Sequence, residues 1–245
     1  MKDAIIRLEK VWKIYTMGDT EVQALRGIDV EIKKGEFVAI QGPSGSGKST
    51  AVNMVGCLDI PTSGSIFLDG RNISKMSESD LAQVRGKTIG FIFQQFNLIN
   101  VLSALENVML PMVFQDIPKE KRLARAKMLL ELVELQGRMD HKPNELSGGQ
   151  QQRVAIARSL ANDPEVILAD EPTGNLDSKT GIIVMDFLEK LHKEGKTIVM
   201  VTHDNLLAKR AGRIITLKDG EVIDEQTSHH KEKEKTITKK MPKKK

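Results

Sequence analysis

The sequence lacks an apolar run long enough to cross a lipid bilayer. Its apolar stretches, such as Val166–Ala169 and Ile198–Val201, have the length of single β-strands, whereas a membrane-spanning helix needs about 20 apolar residues. The first ten residues carry scattered charges and lack the apolar core of a secretory signal. We therefore expect a cytoplasmic location and exclude a protein that crosses the membrane through these segments.

Cysteine is nearly absent as well. The single cysteine, Cys57, excludes an internal disulfide and fits a reducing compartment. We interpret Cys57 as a small residue within a helix. The chain has 245 residues, of which 40% are hydrophobic, and this is enough for one large α/β domain with a substantial core.

Basic charge is concentrated near one end of the sequence. The net charge is +4, but residues 229–245 hold eight Lys and two Glu, which leaves −2 for the rest. We predict that this Lys-rich tail is disordered and that it would touch anionic lipid only weakly. The adjacent His229 and His230 have no fixed geometry there, so we predict no metal site. The acidic remainder does not suggest a specific nucleic-acid partner.

Both ends of the remaining sequence favour antiparallel strands. Ile28, Val30 and Ile32 alternate with polar residues, as in a half-buried strand. Asp-Gly pairs at 69–70 and 219–220 each follow an apolar segment and predict hairpin turns. We therefore predict an antiparallel β subdomain at the N-terminus and a hairpin at the other end.

The middle of the sequence alternates short apolar strands with helices, which predicts a mostly parallel sheet. The strands are expected at Glu36–Gln41, Thr88–Phe93, Glu165–Ala169 and Thr197–Thr202. A helix over Ser178–Glu194 carries apolar residues at helical spacing before Gly195. The fold class is therefore α/β.

A mainly helical region interrupts this pattern. Ser103 and Glu106 form a capping-box pattern, and a longer helix is indicated by apolar residues at Leu123, Ala126, Leu130 and Val133. We place the helical insertion at about residues 96–160, within a single domain covering residues 1–228.

The segment GPSGSGKS, from Gly42 to Ser49, fits the phosphate-loop pattern and lies between a predicted strand and a helix. Its glycines let successive N–H groups point at phosphate oxygens, and the helix start adds a positive dipole. Lys48 is expected to reach the β- and γ-phosphates and Ser49 to bind Mg²⁺. The predicted nucleotide-binding residues here are Gly42, Pro43, Ser44, Gly45, Ser46, Gly47, Lys48, Ser49 and Thr50.

Two adjacent carboxylates end the strand that begins at Val166. Asp170 is expected at the carboxyl end of a parallel strand, where ligands bind, and would hold Mg²⁺ directly or through water. Glu171 should point in a different direction and polarise the attacking water. The other interpretation is that one of the two caps the following turn at 172–174.

The third motif, LSGGQ, starts at Leu146 and precedes a helix whose apolar face includes Val154, Ala157 and Leu160. It predicts a second anion site at a helix start. By chance, both motifs would rarely occur in one chain of average composition.

With these three motifs in this order and spacing, the sequence resembles the ATP-binding cassette (ABC) ATPases from about Ile5 to Gln226. The resemblance implies ATP hydrolysis with Mg²⁺ and an integral membrane permease as partner, on the inner face of the cell membrane. It also implies an ATP-sandwich dimer of two copies, in which one copy completes the partner's site with Ser147, Gly148, Gly149 and Gln150.

Further residues match that family one by one. Tyr15 resembles the aromatic residue that stacks on adenine, with Trp12 as the alternative. Gln94 is similar to the glutamine that contacts Mg²⁺ and the attacking water, with Gln95 as the competitor.

Two more positions follow from the same resemblance. Asp177, in the segment GNLD, matches the acidic residue that communicates between the two sites of the dimer. His203, which ends the strand at 197–202, matches the histidine that contacts the γ-phosphate. Catalysis is thus expected from Glu171, His203, Gln94 and Lys48.

Surface segments give a narrower resemblance, to the ATPases of lipoprotein-releasing and macrolide-export complexes. These segments are QQFNL from Gln94, ALENV from Ala104 and GNLDSKTG from Gly174, while Asn100 stands where those relatives often have proline. Neither the cargo nor the direction of transport follows from them.

The alternative function is a soluble cassette protein acting on nucleic acid or ribosomes. Such proteins usually carry two cassettes or a long coiled-coil insertion, whereas Leu146 lies only 98 positions after Lys48 here. A nucleotide-regulated scaffold without turnover is a third possibility, and the presence of Glu171 and His203 argues against it.

Overall fold

The computed structural model describes residues 4–227. The predicted disorder and lipid contact of segment 229–245 lie outside this described part. Within residues 4–227, every helix is too short or too polar to span a membrane.

The N-terminal part forms a four-stranded antiparallel sheet. Its strands are β1 (Ala4–Met17), β2 (Thr20–Lys33), β4 (Ser63–Leu68) and β5 (Arg71–Asn72), in the spatial order β2-β1-β4-β5. Asp69 and Gly70 connect β4 to β5 with φ angles of 48° and 73°, as a type I′ hairpin turn requires.

A six-stranded sheet forms the centre of the domain, in the order β10-β9-β3-β8-β7-β6. Its strands are β3 (Phe37–Gln41), β6 (Ile89–Ile92), β7 (Val166–Asp170), β8 (Thr197–Thr202), β9 (Arg213–Lys218) and β10 (Glu221–Thr227). All neighbouring pairs are parallel except the β9–β10 hairpin, which turns at Asp219 and Gly220.

Helices cover this sheet and form the insertion. They are α1 (Lys48–Val55), α2 (Glu78–Thr88), α3 (Ala104–Val113), α4 (Lys119–Leu132), α5 (Gly148–Ser159), α6 (Ser178–Lys193) and α7 (Asn205–Ala208). The capping box at Ser103 and Glu106 is confirmed, because each side chain bonds the other residue's N–H.

Two hydrophobic cores lie on opposite faces of the six-stranded sheet. Along β3, Val38 and Ile40 pack with α1 and the antiparallel sheet, while Phe37 and Ala39 pack with the helical region. This alternation follows from the two-residue period of a strand. It confirms the predicted α/β class, with an antiparallel β subdomain on one side and inserted helices on the other.

Two local expectations differ from the structure, and one helix was missed. Cys57 is not in a helix, since α1 ends at Val55 and Cys57 forms the following turn with a φ of 54°. Helix α2 was not predicted, because Leu81 is its one buried residue and its apolar pattern is therefore weak. The strand expected from Thr88 to Phe93 begins and ends one residue inside those bounds.

Candidate functional site

The phosphate loop connects β3 to α1 and packs closely against β9 and β2. A Cβ atom at Gly42 would lie 2.1 Å from the Leu217 carbonyl oxygen of β9, and one at Gly47 would lie 2.4 Å from the Ala24 carbonyl oxygen of β2. Gly47 has a φ of 96°, a conformation that residues with a Cβ rarely adopt. Both positions therefore require glycine.

The start of α1 leaves its backbone donors free of side-chain capping. Its N-cap residue is Gly47, which has no side chain to accept a hydrogen bond. The first N–H groups of a helix have no partner within the helix, and they bind anions readily. Lys48 lies over the same loop, where its ammonium group donates to the Gly42 and Pro43 carbonyl oxygens, both at 2.8 Å.

Asp170 ends β7 close enough to the phosphate loop for their charges to interact. Burial raises the pKa of the Asp170 carboxyl, the neighbouring charge of Glu171 raises it further, and the Lys48 ammonium lowers it. A buried carboxylate with this charge environment gains from a nearby cation. Asp170 lies at the end of β7, and β8 separates this strand from β3, which leads into the loop.

The backbone of Glu171 leaves the extended conformation of β7, with a φ of 45°. One of its carboxylate oxygens accepts hydrogen bonds from the His203 backbone N–H at 3.0 Å and from His203 Nδ1 at 2.8 Å. An ionised carboxylate only accepts, so Nδ1 carries the hydrogen. The His203 side chain is 72% exposed and that of Glu171 is 16% exposed, so the histidine shields the carboxylate on one side.

Gln94 lies against the segment that follows Glu171. The Asn175 side-chain amide donates to the Gln94 carbonyl oxygen at 2.9 Å, and a Cβ atom at Gly174 would lie 2.7 Å from Gln94 Nε2. The polypeptide after β6 and the polypeptide after β7 therefore touch at Gln94.

Asp177 caps helix α6 through its carboxylate. The carboxylate accepts from the backbone N–H groups of Lys179 and Thr180 and from the Thr180 hydroxyl. The Thr180 hydroxyl is the main cause that holds the pKa of Asp177 below its usual value. Asp177 thus fixes the start of α6.

The LSGGQ motif, from Leu146 to Gln150, is called the signature below. It starts helix α5 with a capping box. The Ser147 hydroxyl accepts from the Gln150 N–H, and the Gln150 side chain accepts from the Ser147 N–H. Gly148 and Gly149 form the first helical residues, and a Cβ atom at Gly149 would lie 2.6 Å from the Thr180 methyl group.

The signature helix and the phosphate loop of one chain are attached to different strands of the six-stranded sheet. Helix α5 packs beside β6, where the Ser159 carbonyl lies against Gly90, whereas the phosphate loop follows β3. Strand β6 is the third strand from β3, so the strand that α5 packs against and the strand that leads into the phosphate loop are about 14 Å apart across the sheet.

Tyr15 stands beside the phosphate-loop helix, held by two residues that the sequence analysis missed. Its hydroxyl donates to Asp59 at 2.9 Å. Burial and the Asp59 carboxylate raise the pKa of Tyr15, and the nearby Thr50 hydroxyl of α1 lowers it. The Lys13 ammonium lies 4.9 Å from the Tyr15 ring centroid and 2.6 Å from Asp59. Lys13 and Asp59 are 46 positions apart, so no local pattern indicated this pair.

Trp12, the alternative to Tyr15, packs elsewhere. A Cβ atom at Gly27 would lie 2.9 Å from the Trp12 indole nitrogen, so the indole covers the backbone of β2. The Tyr15 hydroxyl, in contrast, is near Thr50 of α1.

The oxygen-bearing side chains near the loop suit Mg²⁺. The ion prefers a few carboxylate, hydroxyl or amide oxygens together with phosphates and water, and the candidates here are Ser49, Asp170 and Gln94. The described residues hold no cluster of three or more His, Cys, Asp or Glu side chains that could bind a metal by themselves. The donor set therefore fits an ion that is held largely by a bound nucleotide.

Known proteins match the chain over most of its length. Residues 25–174 match the family described as ABC transporter. The chain is 54% identical to an uncharacterized ABC transporter ATP-binding protein of Thermotoga maritima, over 89% of this chain and 93% of that protein. It is 50% identical to the macrolide export ATP-binding/permease protein MacB of Mannheimia succiniciproducens, over 92% of this chain but 35% of that protein.

Solved structures match in the same way. The ATP-binding cassette MJ0796 of Methanocaldococcus jannaschii, solved as a post-hydrolysis dimer with ADP and Pi, has a TM-score of 0.85 and 52% identity. The match covers 91% of this chain and 98% of that one. CbiO1 of Clostridium perfringens, part of the transporter complex CbiONQ, has a TM-score of 0.81 and 32% identity, over 92% of this chain and 89% of that one.

Proposed function

The chain belongs to the ABC transporter ATP-binding family and is an ATPase, and from this premise we propose that two copies close head to tail on ATP to drive a separate membrane permease. Each copy binds ATP on its own phosphate loop. Each signature helix then covers the γ-phosphate held by the other copy.

The observation that carries this proposal is the separation of the two anion sites. Strand β3, which leads into the phosphate loop, and strand β6, which α5 packs against, are about 14 Å apart in one chain, and we infer that the two helix starts do not bind the same γ-phosphate. A second copy, related by a two-fold axis, would bring its own signature to the loop. The dimer of MJ0796 with ADP and Pi supports this arrangement.

We assign roles at the loop from the contacts above. The free N–H groups of α1 and the Lys48 ammonium bind the phosphates. Ser49, Asp170 and Gln94 would hold Mg²⁺, which supplies charge neutralisation when it is bound. Glu171 orients and deprotonates the attacking water, His203 holds the Glu171 carboxylate and reaches the γ-phosphate, and Tyr15 stacks on adenine.

A permease partner is proposed from the relatives. MacB carries its permease in the same protein, whereas the Thermotoga maritima and Bacillus subtilis relatives match the present chain over 93% and 95% of their length. We therefore assign the permease to another chain, on the inner face of the cell membrane, of an exporter or lipoprotein-release type. Recovery of the chain with a membrane protein is the expected result of purification from membranes, and recovery with ribosomes would contradict it.

The decisive experiment replaces Glu171 with Gln. This change keeps the hydrogen bond from His203 but removes the base, and general-base catalysis contributes about 10²–10⁴-fold to a rate. We expect the Glu171→Gln variant to bind ATP normally, to accumulate as an ATP-bound dimer in size-exclusion chromatography and to lose nearly all turnover.

The matched control is Glu134→Gln, which changes a carboxylate that is 86% exposed in the helical region. It should hydrolyse ATP at the normal rate and form no stable dimer. Steady-state turnover near the normal rate in the Glu171→Gln variant would remove Glu171 from the role of base.

A further inference from the structure

One buried side chain of the signature helix has no part in the roles assigned above. Gln152 is fully buried, and its amide nitrogen donates to the Pro172 carbonyl oxygen at 2.6 Å. Its amide oxygen has no donor among residues 4–227. A buried acceptor without a partner is costly, so stability alone does not explain a glutamine in this position.

The residue that Gln152 holds lies next to the proposed base. Pro172 directly follows Glu171, whose φ of 45° is unfavourable for a residue with a side chain. The Glu171 N–H donates to the Val201 carbonyl oxygen of β8 at 2.9 Å. The backbone around Glu171 is therefore held on one side by β8 and on the other side, through Gln152, by α5.

The proline at position 172 makes the position of this backbone depend on the hydrogen bond from Gln152. Because Pro172 has no N–H, its carbonyl is the single backbone group that another element can hold at this position. The Gln152 amide is the donor that the structure places there. A shift of α5 would therefore act on the Glu171–Pro172 segment through a single hydrogen bond.

We propose that Gln152 is a positioning residue that couples docking of the partner's nucleotide at the signature to the placement of Glu171 in the same chain. This inference rests on the proposed function, in which Ser147 and its neighbours contact the partner's ATP. Gln152 lies five residues after Ser147, about 7.5 Å along the helix axis. A hydrogen-bonded helix is stiff over this length, so movement of its first turn displaces Gln152.

A second contact of α5 limits the direction of that movement. Gly149 packs against the Thr180 methyl group, and the Thr180 hydroxyl bonds Asp177 at the start of α6. The first turns of α5 therefore touch the chain after Glu171 at two points. Docking of the partner's nucleotide would displace both contacts, the one between Gly149 and Thr180 and the one between Gln152 and Pro172. Of the two, the Gln152 contact is the one to the backbone next to Glu171.

The test is the variant Gln152→Met in the full chain. Methionine keeps the length of the side chain and suits a buried site, but it removes both the donor to Pro172 and the unpartnered oxygen. The change removes one unpartnered acceptor but leaves the Pro172 carbonyl without its donor. We therefore expect the melting temperature to be unchanged and the ATP affinity of the monomer to be unchanged within about twofold. We expect kcat to fall at least tenfold and the cooperativity of hydrolysis with respect to ATP to decrease.

The control is Ser159→Ala, which removes another buried polar group from α5. The Ser159 hydroxyl bonds the Ile156 carbonyl within the same helix, and Ser159 is the last residue of α5, at the opposite end from the signature. This variant should keep the normal kcat. Gln152→Leu serves as a second variant if Gln152→Met does not fold, and the same changes are expected of it.

The outcomes separate the coupling from the proposed function. A normal kcat in a folded Gln152 variant overturns the coupling, and so does an equal loss of kcat in Ser159→Ala. Loss of kcat together with a lower melting temperature also overturns it, because packing then explains the result. If Glu171→Gln keeps its turnover, the proposed function itself fails. If Glu171→Gln is inactive and Gln152→Met is normal, only the coupling fails.

Discussion

Two helix starts in this domain bind anions in the proposed mechanism, and they are built in opposite ways. At α1 the N-cap is Gly47, which offers no side-chain acceptor. At α5 the N-cap is Ser147, whose hydroxyl already accepts from the Gln150 N–H. The first N–H groups of α1 are therefore left for a ligand, whereas one of the first N–H groups of α5 is already bonded by the Ser147 side chain.

The surroundings of the two helix starts differ in the same sense. Gly42 and Gly47 are pressed against carbonyl oxygens of β9 and β2, so the phosphate loop is a rigid cradle. Gly148 has only ordinary contact with the Phe96 ring, at 3.8 Å. In the proposed mechanism this difference means that α1 leaves its first N–H groups for the nucleotide of its own chain, whereas α5 is capped before the partner's nucleotide reaches it.

The largest contrast is expected from adding one methyl group to each helix start. Gly47→Ala places a Cβ 2.4 Å from a carbonyl oxygen at a φ of 96°, and should lower the free energy of unfolding by about 2–4 kcal/mol. Gly148→Ala meets nothing closer than 3.8 Å and should change it by less than about 1 kcal/mol. Urea unfolding followed by Trp12 fluorescence measures both, and equal losses would contradict the contrast.

Charge removal at the first site is the next largest effect. Lys48→Ala deletes charge-assisted hydrogen bonds to phosphate and should raise the Kd of the monomer for ATP roughly 10–100-fold. Ser147→Ala should leave that Kd unchanged, although loss of the cap costs about 1 kcal/mol of stability. Titration with a fluorescent ATP analogue measures affinity. An unchanged Kd in Lys48→Ala would refute the phosphate contact.

The smallest effect concerns the adenine end of the same site. Tyr15→Phe keeps the ring but loses the hydrogen bond to Asp59, and it should raise the Kd for ATP no more than about threefold. Tyr15→Ala should raise the Kd roughly fivefold or more, because the lost stacking on adenine is worth about 1 kcal/mol. Binding of inorganic triphosphate should not change. Trp12→Ala is the control, and a larger effect from it than from Tyr15→Ala would assign the stacking role to Trp12.

Local patterns predicted the helix starts but not their surroundings. The phosphate loop and the helix start at LSGGQ could be found because each depends on residues within eight positions of one another. The support of Gly42 comes from Leu217 and that of Gly47 comes from Ala24, contacts created by strand order. Strand order depends on long-range packing, which no short pattern encodes.

Gln152 illustrates a second limit. It belongs to a run of three glutamines at 150–152, of which the first completes the cap and the third is fully buried. Polarity predicts that all three face water, and the apolar residues of α5 begin only at Val154. The left-handed backbone of Glu171 was equally hidden, because such a conformation is usually signalled by glycine or asparagine.

The placement of β3 between β8 and β9 has a consequence for synthesis on the ribosome. Gln41 bonds Thr216 across 175 positions, and the Gly220 N–H donates to the Ser46 carbonyl oxygen of the phosphate loop. At about 5–20 residues per second, the loop waits roughly 9–35 s for the strand that props it. The phosphate-loop sequence of a nascent chain is therefore synthesised well before β9 and β10 can pack against it, and we expect ATP binding only after the β9–β10 hairpin has been translated.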